Sequence, residues 1–200
     1  MEGNTLFPVF LKLDQLRTLV VGGGAVGLEK LRAILKNSPK AKIKLVATQV
    51  KPEIHELARL HSRVSIEERA FQISDLLGID ILVLATDIWE TNLVIRYLAK
   101  KKGILTNVAD TPELCDFYLG STVGKGNLKI GISTNGQSPT FAKRFRQVLE
   151  QVLPDETDEL LGNLKAIRDS LKGNFGHKVE KLNQYTASLV EGFKTKEEVS

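Results

Sequence analysis

Two hundred residues, 42% of them hydrophobic, suffice for one sizeable core or two small ones. The longest stretch free of charge is the 13 residues 130–142, half of them polar, which excludes a membrane-spanning helix of about 20 apolar residues. The 28 basic and 24 acidic residues leave a net charge of +4, and residues 124–153 carry all of it, with Lys125, Lys129, Lys143, Arg144 and Arg146 against Glu150. Such a local field suits an anionic ligand better than a nucleic-acid coat, and from charge alone it reads equally as a solvated helix face.

Met1-Glu2-Gly3-Asn4 offers no basic region ahead of an apolar stretch, so a secretory signal is not expected and the chain is expected in the cytoplasm. The single cysteine, Cys115, agrees with a reducing compartment. Residues 7–13, Phe-Pro-Val-Phe-Leu-Lys-Leu, predict a strand added to a sheet. Three runs rich in Val, Ile and Leu, 18–21, 43–46 and 79–85, predict buried parallel strands, with weaker ones at 64–66 and 104–108. Helical spacing of apolar residues fills the gaps at 26–35, 51–60 and 89–99. Alternation of this kind predicts an α/β fold with a doubly wound parallel sheet.

After Asp110 the pattern changes. Residues 116–123 and 127–134 predict a hairpin through Gly124-Lys125-Gly126. Ser138-Pro139 opens a helix whose apolar face is Phe141, Phe145, Val148, Leu149 and Val152, and Pro154 stops it. Helices resume from Asp155, with Leu160, Leu164, Ile167 and Leu171 on one face. A break at Gly173-Asn174 precedes a last helix carrying Val179, Leu182, Leu189 and Val190. Three regions follow: a nucleotide-type domain over 1–112, a small hairpin-plus-helix (α+β) region over 113–153, and a C-terminal helical region over 154–200.

Gly22-Gly23-Gly24-Ala25-Val26-Gly27 fits G-x-G-x-x-G between a strand and a helix, where glycines let the backbone turn and approach a pyrophosphate at the helix start. The acidic residue that normally reads the ribose some 20 positions on is missing, since the second strand ends Ala47-Thr48-Gln49. Thr48 and Gln49 can hydrogen-bond a ribose or simply form a loop, and neither an acid nor an arginine decides NAD against NADP. Asp110, in Asn107-Val108-Ala109-Asp110-Thr111-Pro112, lies at a strand end on the ligand side of such a sheet. It can serve as a general base or cap a turn. In Ser133-Thr134-Asn135-Gly136-Gln137-Ser138-Pro139, hydroxyls and N–H groups converge at a helix start just before Lys143, Arg144 and Arg146, an arrangement for carboxylate or phosphate. Ordinary capping would need Ser138 alone. His55, His61 and His177 lack metal-ligand spacing, so no metal site is expected. Cys115 reads as reactive or as a buried structural thiol.

Together these motifs resemble the precorrin-2 dehydrogenases, found free-standing and as the N-terminal part of sirohaem synthases. The carriers are Phe7-Pro8-Val9-Phe10-Leu11, the 21–26 turn with Lys30, Ala85-Thr86-Asp87 with Asn92, the 107–112 segment leading to Cys115-Asp116-Phe117, and the 133–139 loop. Gly27, Glu29 and Gly120 depart from the alanine, arginine and proline usual in that family, and none removes a chemical group. The resemblance implies a Rossmann-type domain, a dimerisation region and NAD-dependent oxidation of precorrin-2, an anionic tetrapyrrole, to sirohydrochlorin, with ferrochelation as a second activity in some members. It further implies Asp110 as the catalytic acid-base residue and a homodimer. Gly22, Gly23, Gly24, Ala25, Val26, Thr48, Gln49, Thr86, Asp87 and Asn107 would lie at NAD, and Ser133, Thr134, Asn135, Ser138, Lys143 and Arg144 at the substrate. The position of Thr134 is a phosphorylated serine in some members. The rival reading is a non-catalytic NAD-sensing module on the same fold.

Overall fold

A computed structural model describes residues 3–172 and 175–187. The chain divides into two compact units, the first running to Ser121 and including Ser133–Pro139, the second comprising Thr122–Ile132 and the chain from Thr140 onward.

In the first unit, β1 (Arg17–Val21), β2 (Lys42–Ala47), β3 (Val64–Glu68), β4 (Ile81–Leu84) and β5 (Leu105–Val108) form one parallel sheet in the order β3-β2-β1-β4-β5. The crossovers carry α1 (Ala25–Asn37), α2 (Pro52–Leu60) and α3 (Trp89–Lys101), and a short 3-10 turn, Ile73–Leu76, precedes β4. Side chains alternate along a strand, so each strand feeds two cores. Val20, Ile43, Leu45 and Val83 pack with Leu28, Leu31 and Ile34 of α1 and Ile54 of α2. Leu19, Val21, Val46, Leu82 and Leu84 pack with Ile95 and Ala99 of α3. Burial on both faces is why these strands read as unbroken apolar runs. With β2 on one side of β1 and β4 on the other, the strand order reverses at β1, and a crevice is expected outside the carboxyl ends there.

One predicted strand is absent. Residues 7–13 form no strand and pair with neither sheet edge; Phe7 and Phe10 are 86% and 71% exposed. Pro8 lacks the N–H that a ladder requires, and the segment meets the sheet at Leu13, whose carbonyl accepts the Lys42 amide at 3.2 Å and whose side chain packs on the core. Apolar character alone mimicked a strand.

Beyond the sheet, β6 (Ser121–Lys125) and β7 (Leu128–Ile132) form the hairpin, turning at Gly126-Asn127 rather than over 124–126. The first strand starts at Ser121 and not at Asp116, because Asp116 is tied to β5: its amide donates to the Thr106 carbonyl at 2.8 Å and its carboxylate accepts the Thr106 amide at 2.9 Å. The helices α4 (Pro139–Val152), α5 (Thr157–Ser170) and α6 (Phe175–Thr186) follow. Asp158 of α5 accepts the Asn127 backbone and side-chain N–H groups at 2.7 and 2.8 Å, fastening the hairpin turn to that helix. On α4 the predicted apolar face stands largely in solvent, with Phe141 59%, Phe145 42% and Val152 70% exposed, and Ala142 is the helix's buried residue. Gly173, Asn174, Leu189 and Val190 lie outside the described residues. Among the described residues no helix is long and apolar enough to cross a membrane.

Candidate functional site

The turn after β1 is built so that only glycine fits its first position. Gly22 has φ +121°, and a Cβ there would stand 2.3 Å from the Ala85 carbonyl oxygen at the end of β4. Its neighbour Gly23 faces the loop after β2, whose Lys51 amide donates to the Gly23 carbonyl at 3.0 Å. Gly24 differs in kind. It is exposed, a Cβ on it would meet nothing within 4 Å, and it opens α1 with no side-chain cap and no acid in the first turn. Among the described residues, none comes within 4 Å of a Cβ on Gly24, and beside it the first helical N–H groups point outward with the positive end of the helix dipole. A cradle of this kind suits the pyrophosphate of a dinucleotide, so the residues present fit NAD.

Thr48 and Gln49 follow β2 directly and are exposed, with no side-chain hydrogen bond among the described residues. After β4, Thr86 is already committed: its hydroxyl donates to buried Asn92 Oδ1 at 2.7 Å, and Asn92 Nδ2 donates to the Thr86 carbonyl at 3.0 Å. This pair locks the loop that presents exposed Asp87. Asn107, buried in β5, turns its amide inward to the Phe117 carbonyl at 2.9 Å.

Asp110 stands two residues beyond β5 with φ +57°, a left-handed conformation that aspartate tolerates better than most residues. Its carboxylate is exposed and unpaired among the described residues. What holds it there is Cys115. The Sγ atom accepts the Val108 amide at 3.2 Å and offers its proton to the Val108 and Thr111 carbonyls at 3.2 and 3.3 Å, gripping the chain on both sides of Asp110. Burial pushes the Cys115 thiol up from its ordinary pKa, which favours the structural reading over the reactive one. Arg96 secures the next turn, donating to the Leu114 carbonyl at 2.7 Å and to Asp116 at 2.6 Å. Asn92 and Cys115 stand in the motifs that carry the family resemblance, but the bonds that give them their roles join segments apart in sequence and emerge only in the fold.

The loop 133–139 belongs to the first unit. Its hydroxyls fold onto its own backbone: Ser133 Oγ accepts the Asn135 amide and Thr134 Oγ1 the Ser138 amide, both at 3.2 Å, with Asn135 at φ +51°. In the second unit, on the first turns of α4, Lys143 and Arg144 are exposed, and Arg144 donates to Gln147 at 3.2 Å.

Comparison with known proteins agrees with this layout. The family described as "Putative NAD(P)-binding" matches residues 9–121, and the one described as "Sirohaem biosynthesis protein central" matches residues 125–151. The sirohaem synthase of Pseudoalteromonas atlantica is 33% identical over 187 residues, covering 93% of this chain and 39% of the relative. That of Thioalkalivibrio sulfidiphilus is 31% identical over 188 residues, covering 93% of this chain and 37% of the relative. The chain thus spans about two fifths of the length of these relatives. The solved structure of SirC, a precorrin-2 dehydrogenase, superposes with a TM-score of 0.69 at 25% identity, covering 93% of this chain and 94% of that one. With that first family matched over more than half of its residues, the chain belongs to the family described as putative NAD(P)-binding, and the segment directly after it resembles the central part of sirohaem biosynthesis proteins.

Proposed function

We propose that the chain is an NAD-dependent dehydrogenase that oxidises precorrin-2 to sirohydrochlorin, as a cytoplasmic homodimer. The observation that carries the reading is Asp110, a carboxylate unpaired among the described residues and held at φ +57° at the same carboxyl end of the sheet as the glycine turn. The relatives named sirohaem synthase and the solved precorrin-2 dehydrogenase support the choice of substrate. NAD, when bound, supplies the hydride acceptor. The chain's own part is to bind the pyrophosphate at Gly22, Gly23, Gly24, Ala25 and Val26, to hold the ribose at Thr48 and Gln49, and to shape the floor with Thr86, Asp87 and Asn107. Asp110 takes the proton that leaves the tetrapyrrole as the hydride departs, so two electrons and two hydrogens are lost by the substrate. Ser133, Thr134, Asn135 and Ser138, with Lys143 and Arg144, are assigned to the substrate's carboxylates, for which the basic charge of residues 124–153 is suited. The region 113–153 serves dimerisation, and α5 and α6 follow it.

The test is an anaerobic incubation of precorrin-2 with NAD, reading NADH and the tetrapyrrole spectrum together. NADH formed in step with sirohydrochlorin is the expected result. Asp110→Ala should lower turnover about a hundredfold or more, with the melting temperature and NADH binding kept. A folded Asp110→Ala protein at full activity would remove the catalytic role. Nucleotide binding without any turnover in the unaltered protein would favour the NAD-sensing module.

A further inference from the structure

We propose that Glu68, at the end of β3, supplies the acidic group that selects NAD over NADP, a task usually performed in this fold by a residue at the end of β2. The proposal rests on the nucleotide reading of the first unit. The β2 end, Ala47-Thr48-Gln49, carries no acid. The parallel register sets Glu68 directly opposite Ala47, so the last residue of β3 lies beside the last residue of β2. Successive side chains leave a strand on opposite faces. Glu67 is bound to Lys44 at 2.8 Å and to Arg69, on the face of the 3-10 turn. Glu68 therefore leaves on the face of α2, where its Oε2 lies 3.9 Å from His55 Nε2. Its Oε1 accepts the Val50 amide at 3.3 Å, which brings the carboxylate over the 48–51 loop from behind.

From the front, that loop presses on the glycine turn: a Cβ on Gly23 would stand 2.3 Å from the Gln49 carbonyl oxygen, and Lys51 N–H reaches the Gly23 carbonyl. Val50, whose amide is bonded to Glu68, thus stands between the two loop residues that touch Gly23. With a side chain 51% exposed, Glu68 has lone pairs on Oε2, 3.9 Å from His55, to offer a ribose hydroxyl, and it repels a 2′-phosphate at the same place. His55 is the neighbour that such a phosphate would meet once the carboxylate is gone.

Titration of the full chain with NADH and with NADPH, read by nucleotide fluorescence, tests this. The unaltered protein should prefer NADH, and Glu68→Gln should narrow the preference about tenfold, chiefly by tightening NADPH. Glu68→Ser should do the same without an amide in place. Glu67→Gln, an equal change of charge on the opposite face, should leave the ratio where it was. An unchanged ratio in both Glu68 variants, an equal shift in Glu67→Gln, or an initial preference for NADPH would overturn the assignment. Failure of the unaltered protein to bind either nucleotide would instead overturn the nucleotide reading, and this inference with it.

Discussion

Gly22 and Gly24 stand two residues apart and lack a side chain for different reasons. A methyl group on Gly22 would collide with the Ala85 carbonyl and be strained by φ +121°, whereas a methyl group on Gly24 would touch no protein atom. Gly22→Ala is therefore expected to cost about 2 kcal/mol or more of stability, seen as a lower unfolding midpoint. Gly24→Ala should leave that midpoint nearly in place and weaken NADH binding about tenfold or more, because its cost falls on the ligand. Equal stability losses in the two variants would contradict this division. The glycine run was legible in the sequence because its context, a strand before and a helix after, is local. The grip of Cys115 on Asp110 and the approach of Glu68 to the 48–51 loop were not, since each depends on which segments the fold lays side by side.

Among the elements, β2, β3 and the 3-10 turn are tied by a buried carboxylate. Asp75 accepts from Arg69 at 2.6 and 2.8 Å, from Lys44 at 2.9 Å and from the Gln72 amide at 2.8 Å. The Arg69 guanidinium, the Gln72 amide and Lys44 hold it well below the usual carboxylate range, against the opposing effect of burial. A carboxyl whose pKa is depressed by folding stabilises the fold above its unfolded pKa and loses that contribution as the pH falls below about 4. Asp75→Asn should accordingly cost about 3 kcal/mol at neutral pH and flatten the fall of stability in acid, measured by denaturant unfolding across pH. The five strands and three helices of the first unit could be read from apolar runs and helical spacing, most plainly at β4, where burial on both faces makes every residue apolar, and least at the edge strand β3. Residues 7–13 misled because an apolar stretch looks alike whether a sheet or some other surface covers it, and Pro8 was the clue against a ladder.

At the scale of the whole molecule, the second unit carries an apolar helix face that stays partly exposed among the described residues. Phe141 and Phe145 stack at 5.9 Å between ring centroids and stand exposed with Val148 and Val152 along one side of α4. Patches of this sort mark interaction surfaces, and a second copy of the chain is the partner proposed above. Phe145→Glu should shift the sedimentation coefficient from that of a dimer to that of a monomer while helical content is kept. A dimer that survives this change would place the interface elsewhere. The sequence disclosed that face as apolar, and its exposure emerged only with the fold. The glycine turn, for its part, is fixed from within: Gly22 N–H is bonded to the Val46 carbonyl at 3.0 Å, and the Gly23 carbonyl accepts from Lys51. The cradle thus exists before any nucleotide arrives. Nucleotide association is then limited by encounter and orientation, without a slow isomerisation of the turn, and observed rates in rapid mixing should rise in proportion to nucleotide concentration without reaching a plateau.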